Sequence, residues 1–167
     1  MNTAQLAIDA FAKFGDYAAE HFQGMEATAA ETLQRSCQLA AVLKQFDVNI
    51  GDRVVVIMPT CPHVPDAFYA IWRIGGVVVP IMPQLAPPEI AYIVKHADAQ
   101  LVLTLPQFAD SVADATHQVS HFRNILVFGE SQVTAAVNLL PLLERTAAEE
   151  TICNRSSNDL AALVYTS

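Results

Sequence analysis

Residues 51–83 read GDRVVVIMPTCPHVPDAFYAIWRIGGVVVPIMP, and this block limits the chain to few folds. Two β-branched runs, 54–58 and 77–81, flank a stretch with helical spacing. The first run is almost wholly apolar, which predicts a strand covered on both faces. Ala67, Ala70, Ile71 and Ile74 fall at i, i+3, i+4 and i+7, the stripe of a buried helix face. Gly75-Gly76 follows, where glycine closes a helix in the left-handed conformation without a Cβ clash. Strand, helix and strand so punctuated predict a βαβ unit with a right-handed crossover.

The flanking sequence extends this pattern. A first helix is expected to end at Gly15, followed by a hairpin over 17–28 that turns at Gly24. Thr28 and Glu31 form a capping box that starts a helix reaching about Phe46, with Leu33, Cys37, Ala40, Ala41 and Leu43 facing inward. Pro87-Pro88-Glu89 opens another helix, because proline is tolerated in the first turn and a carboxylate suits the positive end of the dipole. Ile90, Ile93, Val94 and Ala97 give it an apolar stripe. Strands are expected at 101–105, 125–128 and 160–165, and helices at 106–119 and 135–145. The alternation predicts an α/β fold with a mostly parallel sheet and helices on both faces, one domain over residues 1–167.

Composition narrows the function. Apolar residues make up 53% and charged residues 16%, which suits a doubly covered sheet or a piece that buries one side against a neighbour. The formal net charge is −8, and no window is rich in Lys or Arg, so nucleic acid and anionic membrane are poor partners. No apolar run approaches the ~18 residues of a membrane span, and the amino terminus lacks the basic region of a signal peptide. Cys37, Cys61 and Cys153 are odd in number and lack CxxC spacing, as expected of free thiols in a cytoplasmic protein.

Motifs of the common α/β chemistries are missing. The six glycines leave no GxGxxG, and there is no Walker A loop, GxSxG elbow, HExxH or calcium loop. His117 and His121 have i, i+4 spacing that suits two metal ligands, but no third ligand is apparent, so solvated histidines are expected. Phe68, Tyr69 and Trp72 are expected to pack rather than to bind a ligand. Asp52-Arg53 reads as a structural turn and Asp66 as a surface or dipole-facing carboxylate.

The central block together with the tail resembles the amino-terminal part of the adenylate-forming, or AMP-binding, enzymes, most like acyl-CoA synthetases. The resemblance rests on GDRVVVIMP, the Cys61-Pro62 dipeptide and DAFYAIWRIGGVVVPIMPQLAPPEIAYIV. It rests also on the Thr28–Thr32 element and on DLAALVYTS at 159–167. It covers nearly the whole chain, most firmly 28–104 and 159–167, and weakens over 106–158. Thr60, Pro65, Ala86 and Thr32 depart from the family pattern in ways that touch capping and packing. The Ala86 departure should cost about 0.5–2 kcal/mol locally.

The resemblance implies an enzyme that activates a fatty, aryl or alicyclic acid with ATP to an acyl-adenylate and transfers the acyl group to coenzyme A. It implies ATP, Mg2+ and coenzyme A as cofactors. It identifies Thr166 and Ser167 as the first hydroxyls of the phosphate loop, with that loop's glycines and lysine absent from the sequence. No catalytic residue and no metal ligand of the family falls within these 167 residues. The expectation is therefore a fragment without adenylation activity of its own, binding none of the cofactors tightly. Its expected partners are the remainder of the ligase or a second copy. Two alternatives stay open: a non-catalytic assembly module or truncated pseudoenzyme, and an adenylation domain that loads a carrier protein.

Overall fold

The computed structural model describes residues 2–166. The elements are α1 (Thr3–Phe14), β1 (Ala18–Phe22), β2 (Met25–Thr28), α2 (Ala29–Gln45), β3 (Arg53–Ile57), α3 (His63–Arg73) and β4 (Val77–Ile81). They continue with α4 (Pro87–His96), β5 (Leu101–Thr104), α5 (Ala109–Thr116), β6 (Asn124–Val127), β7 (Ala136–Asn138) and α6 (Leu140–Arg145). Five strands form one sheet in the order β4-β3-β5-β6-β7, and every pairing in it is parallel. The βαβ unit of the central block is present, with Arg53 to Ile57 in register with Val77 to Ile81.

Strand alternation explains the apolar runs. Val54, Val56, Leu101, Leu103 and Leu126 point to one face, where they meet Leu39 and Leu43 of α2 and Ala67, Ala70 and Ile71 of α3. Val55, Ile57, Val102, Ile125 and Val127 point to the other, against Ile90, Ile93 and Val94 of α4 and Val112 of α5. A sheet covered on both faces has no polar side, so its strands read as continuous hydrophobic runs.

Local chemistry sets the element ends. The hairpin turns at Gln23 (φ 50°) and Gly24 (φ 81°), and two left-handed residues make the turn that matches strand twist. Glu31 N–H donates to Thr28 Oγ1 at 3.3 Å, and Thr28 N–H donates to Glu31 Oε2 at 2.9 Å, the expected capping box. At Ala86 only half of such a box forms, with the backbone N–H donating to Glu89 Oε2 at 2.8 Å. Gly75 closes α3 at φ 83°, and a Cβ there would meet Cys153 Sγ at 2.8 Å. Arg53 caps the carboxyl end of α4, donating to the carbonyls of Ala97 and Asp98 at 2.6 and 3.1 Å.

Several expectations are corrected. The helix expected at 106–119 is a 3-10 turn, Pro106–Phe108, followed by the short α5. The stretch expected as a helix over 135–145 begins as β7, which pairs with β6, and only then becomes α6. On α2 the fully buried face is Thr32, Ser36, Leu39, Ala40, Val42 and Leu43, while Leu33, Cys37 and Ala41 are half-buried. The strand expected at 160–165 is a single parallel bridge, Ala162 to Val78, at the free edge of β4. Val78 N–H donates to Ala161 O at 3.0 Å, and Leu163 N–H to Val78 O at 2.9 Å. The next outward-facing residue of β4 is Pro80, which has no N–H to continue the ladder.

Candidate functional site

The carboxyl ends of β3 and β4 open into a cleft of about 1160 Å³. Its floor is Met58, Pro59 and Thr60, which follow β3, and its side is Pro80 to Leu85 at and after β4. Pro88, Glu89, Tyr92 and Ile93 of α4 form a second wall, and Val164, Tyr165 and Thr166 of the tail complete it. Ligands of open parallel sheets bind outside the carboxyl ends of the strands, typically where the strand order reverses. The reversal lies between β3 and β5. There Thr104 Oγ1 donates to Ile57 O at 2.8 Å, and His63, just past β3, stacks on Phe128, just past β6, at 4.2 Å. The open cleft is instead on the β4 side.

The tail reaches the cleft because three contacts hold it to the sheet edge. Two are the backbone bonds to Val78, and the third runs from Trp72 Nε1 to Ala161 O at 2.8 Å. Trp72 also packs edge-to-face with Phe68 and Tyr69, so the aromatics of α3 serve packing, as the sequence predicts. Beyond the bridge, Leu163 and Tyr165 pack against the α4/α5 side of the core. Thr166, expected to begin a phosphate loop, is exposed at the cleft. Ser167, its expected companion, lies outside the described residues.

The chemistry of the lining is mostly apolar. Met58, Ile81, Met82, Leu85 and Val164 contribute, and Met82 and Val164 are 67% and 71% exposed. Glu89 is the one charged side chain among the lining residues, and no Lys or Arg stands there. Polyphosphate bound in water-excluded surroundings needs cations or oriented N–H groups around it. The described lining residues supply the hydroxyls of Thr60, Tyr92, Tyr165 and Thr166, the Gln84 amide and an apolar wall, and without a cation they do not by themselves fit the phosphates of ATP. Nor do they form a group of three or more His, Cys, Asp or Glu that could hold a metal ion. His117 and His121 bind separately: His117 Nδ1 is 2.6 Å from Asp114 O, and His121 Nε2 is 3.7 Å from Asp98 Oδ1.

A second polar cluster lies on the α2/α3 side. Asp66 is only 2% exposed, so its reading as a surface carboxylate is corrected. Arg35 Nε donates to its Oδ1 and Oδ2 at 3.1 and 2.8 Å. The Arg35 Nη2 donates to both Glu20 oxygens at 3.2 and 3.3 Å, and Thr32 Oγ1 donates to Glu20 Oε1 at 2.6 Å. The network thereby ties the hairpin to both helices. Burial pushes the Asp66 carboxyl up to about 6 against the pull of Arg35. Arg35 is less enclosed: burial lowers it, and Asp66 and Glu20 more than offset that, so it stays charged. Burial also lowers His63 and raises the Cys61 and Cys37 thiols. All three cysteines are free, and neither raised thiol has the character of a nucleophile.

Comparisons with known proteins bear on the whole of this arrangement. The profile of the AMP-binding enzyme family matches residues 8–167. Over 100 residues the chain is 33% identical to a long-chain-fatty-acid–CoA ligase of Bacillus subtilis, covering 60% of this chain and 18% of that protein. An acetyl-coenzyme A synthetase of Desulfatibacillum aliphaticivorans is 27% identical over the full chain, which spans 29% of its length. Among solved structures, the anthranilate CoA ligase AuaEII in complex with anthranoyl-AMP superposes with a TM-score of 0.93 at 18% identity, over 100% of this chain and 32% of that one. The benzoate CoA ligase of Burkholderia xenovorans LB400 gives 0.85 at 20% identity, over 97% and 32%. The chain thus spans less than a third of the length of each of these relatives.

Proposed function

Because the chain belongs to the AMP-binding enzyme family, we propose that it is the amino-terminal part of an ATP-dependent acid–CoA ligase. The observation that carries this reading is the unbroken family match from residue 8 to 167, which runs through the tail that reaches the cleft. The names of the CoA ligases it resembles support the acceptor. In this reading the whole protein joins a fatty, aryl or alicyclic acid to coenzyme A through an acyl-adenylate, with ATP and Mg2+. Magnesium supplies charge neutralisation on the phosphates when bound.

The residues of this chain have a supporting part. The doubly covered sheet gives a rigid platform. Its β4 edge, with Trp72, holds the tail and so carries Thr166 to the cleft. The cations for the phosphates come from residues outside the described set, and the 167-residue chain alone is inactive.

The test is formation of acyl-CoA by the intact protein from ATP, Mg2+, coenzyme A and a panel of fatty, aryl and alicyclic acids, read by mass spectrometry. A thioester with at least one acid is expected. Adenylate formation without any thioester would replace coenzyme A with another acceptor, and absence of both would overturn the reading.

A further inference from the structure

Past the bridge at Ala162, what aims the tail at the cleft is a side chain. Among the described residues, no backbone–backbone hydrogen bond ties Val164, Tyr165 or Thr166 to the body, since Pro80 ends the ladder. The Tyr165 ring packs on the α4/α5 side of the core, and its hydroxyl lies 2.8 Å from His96 Nδ1 in the last turn of α4. The His96 ring is itself stacked on Tyr92, one turn earlier, at 5.5 Å and 20°. It meets the Tyr165 ring edge-on at 5.7 Å and 82°. Tyr92 and Tyr165 both line the cleft beside Thr166.

We propose that His96 is a positioning residue for the phosphate loop whose first hydroxyl is that of Thr166. The imidazole is held in one orientation by the Tyr92 ring, and it fixes the Tyr165 hydroxyl. With both the ring and the hydroxyl of Tyr165 fixed, its Cα is anchored beside the cleft, so Thr166 starts from a set point there and samples fewer positions. His96 touches no reacting group. It acts by reducing the number of conformations the loop samples before ATP binds, so its loss raises the concentration of nucleotide needed rather than the barrier to chemistry.

The inference rests on the ligase reading, and two measurements separate them. In the intact protein, His96→Leu and Tyr165→Phe are each expected to raise KM for ATP about five-fold, the size of one lost hydrogen bond, with KM for the acid unchanged. The double variant is expected to match either single one, and His96→Gln to recover part of the loss. Unchanged KM for ATP, or additive losses, would overturn the proposal. In the purified 167-residue chain, Tyr165→Phe is expected to move the His96 imidazole resonances and leave those of His21 in place. An unmoved His96 would overturn the contact whatever the enzyme does. A wild-type protein inactive with every acid would overturn the ligase reading alone, and the resonance measurement would still decide the contact.

Discussion

Asp66, Ala70 and Arg73 share one stripe of α3, and all three are buried. The spacing 66, 70, 73 is the helical period, so the position of Asp66 was legible in the same pattern that identified Ala67 and Ala70. Its charge is what argued for the surface. Its enclosure follows from Arg35, which reaches it from α2 across thirty-one residues of sequence that no local pattern spans. The titration has a definite sign. The folded carboxyl titrates at about 6, above its ordinary 3.8, so between these values the native state binds the proton that the unfolded chain has released. Stability from this group is therefore greatest below about pH 4 and falls as pH rises through about 6. His63, lowered by burial, contributes in the opposite sense over part of that window. Comparison with Asp66→Asn largely cancels it. Chemical denaturation of both proteins should show the wild type losing stability relative to Asp66→Asn by up to about 1.4 kcal/mol per pH unit over pH 4–6. A difference that grows with pH would mean that the ion pair outweighs burial.

At the scale of elements, the central βαβ unit, the capping box and the stripe of α4 were readable because each depends on neighbours within a few residues. The elements that differed depend on distant partners. β7 exists because the edge of β6 was free, and its sequence, AVN, carries no strand pattern of its own. The tail failed to extend as a strand for a reason that stands in the sequence: Pro80 removes a donor on the outward side of β4. That consequence needs the register, which the sequence leaves open. The tail is then held by one bridge, by Trp72 and, further along, by the Tyr165 contacts with His96 and the core. Trp72→Phe keeps an aromatic ring and removes the bond to Ala161. It should speed amide exchange at Leu163 about five-fold, while Val55 in the sheet centre is unchanged. Equal rates in the two proteins would show that the tail is held without the Trp72 bond, by the backbone bonds to Val78 and by packing.

At the scale of the whole molecule, the described lining of the cleft is an apolar wall with the Glu89 carboxylate, the Gln84 amide and the hydroxyls of Thr60, Tyr92, Tyr165 and Thr166, and no Lys or Arg stands beside them. Such a surface does not by itself hold a polyphosphate. The family was legible in short motifs distributed along the chain, and the profile match over 8–167 bears that out. The position of the cleft was not legible, since it arises where β4, α4 and the tail converge. In the proposed ligase reading this chain is the platform for adenylate formation and does not perform that step alone. Acid-dependent exchange of pyrophosphate into ATP measures that step alone, in the purified 167-residue chain and in the intact protein side by side. The account predicts exchange by the intact protein and none above background by the chain. Acid-dependent exchange by the 167-residue chain itself would contradict it.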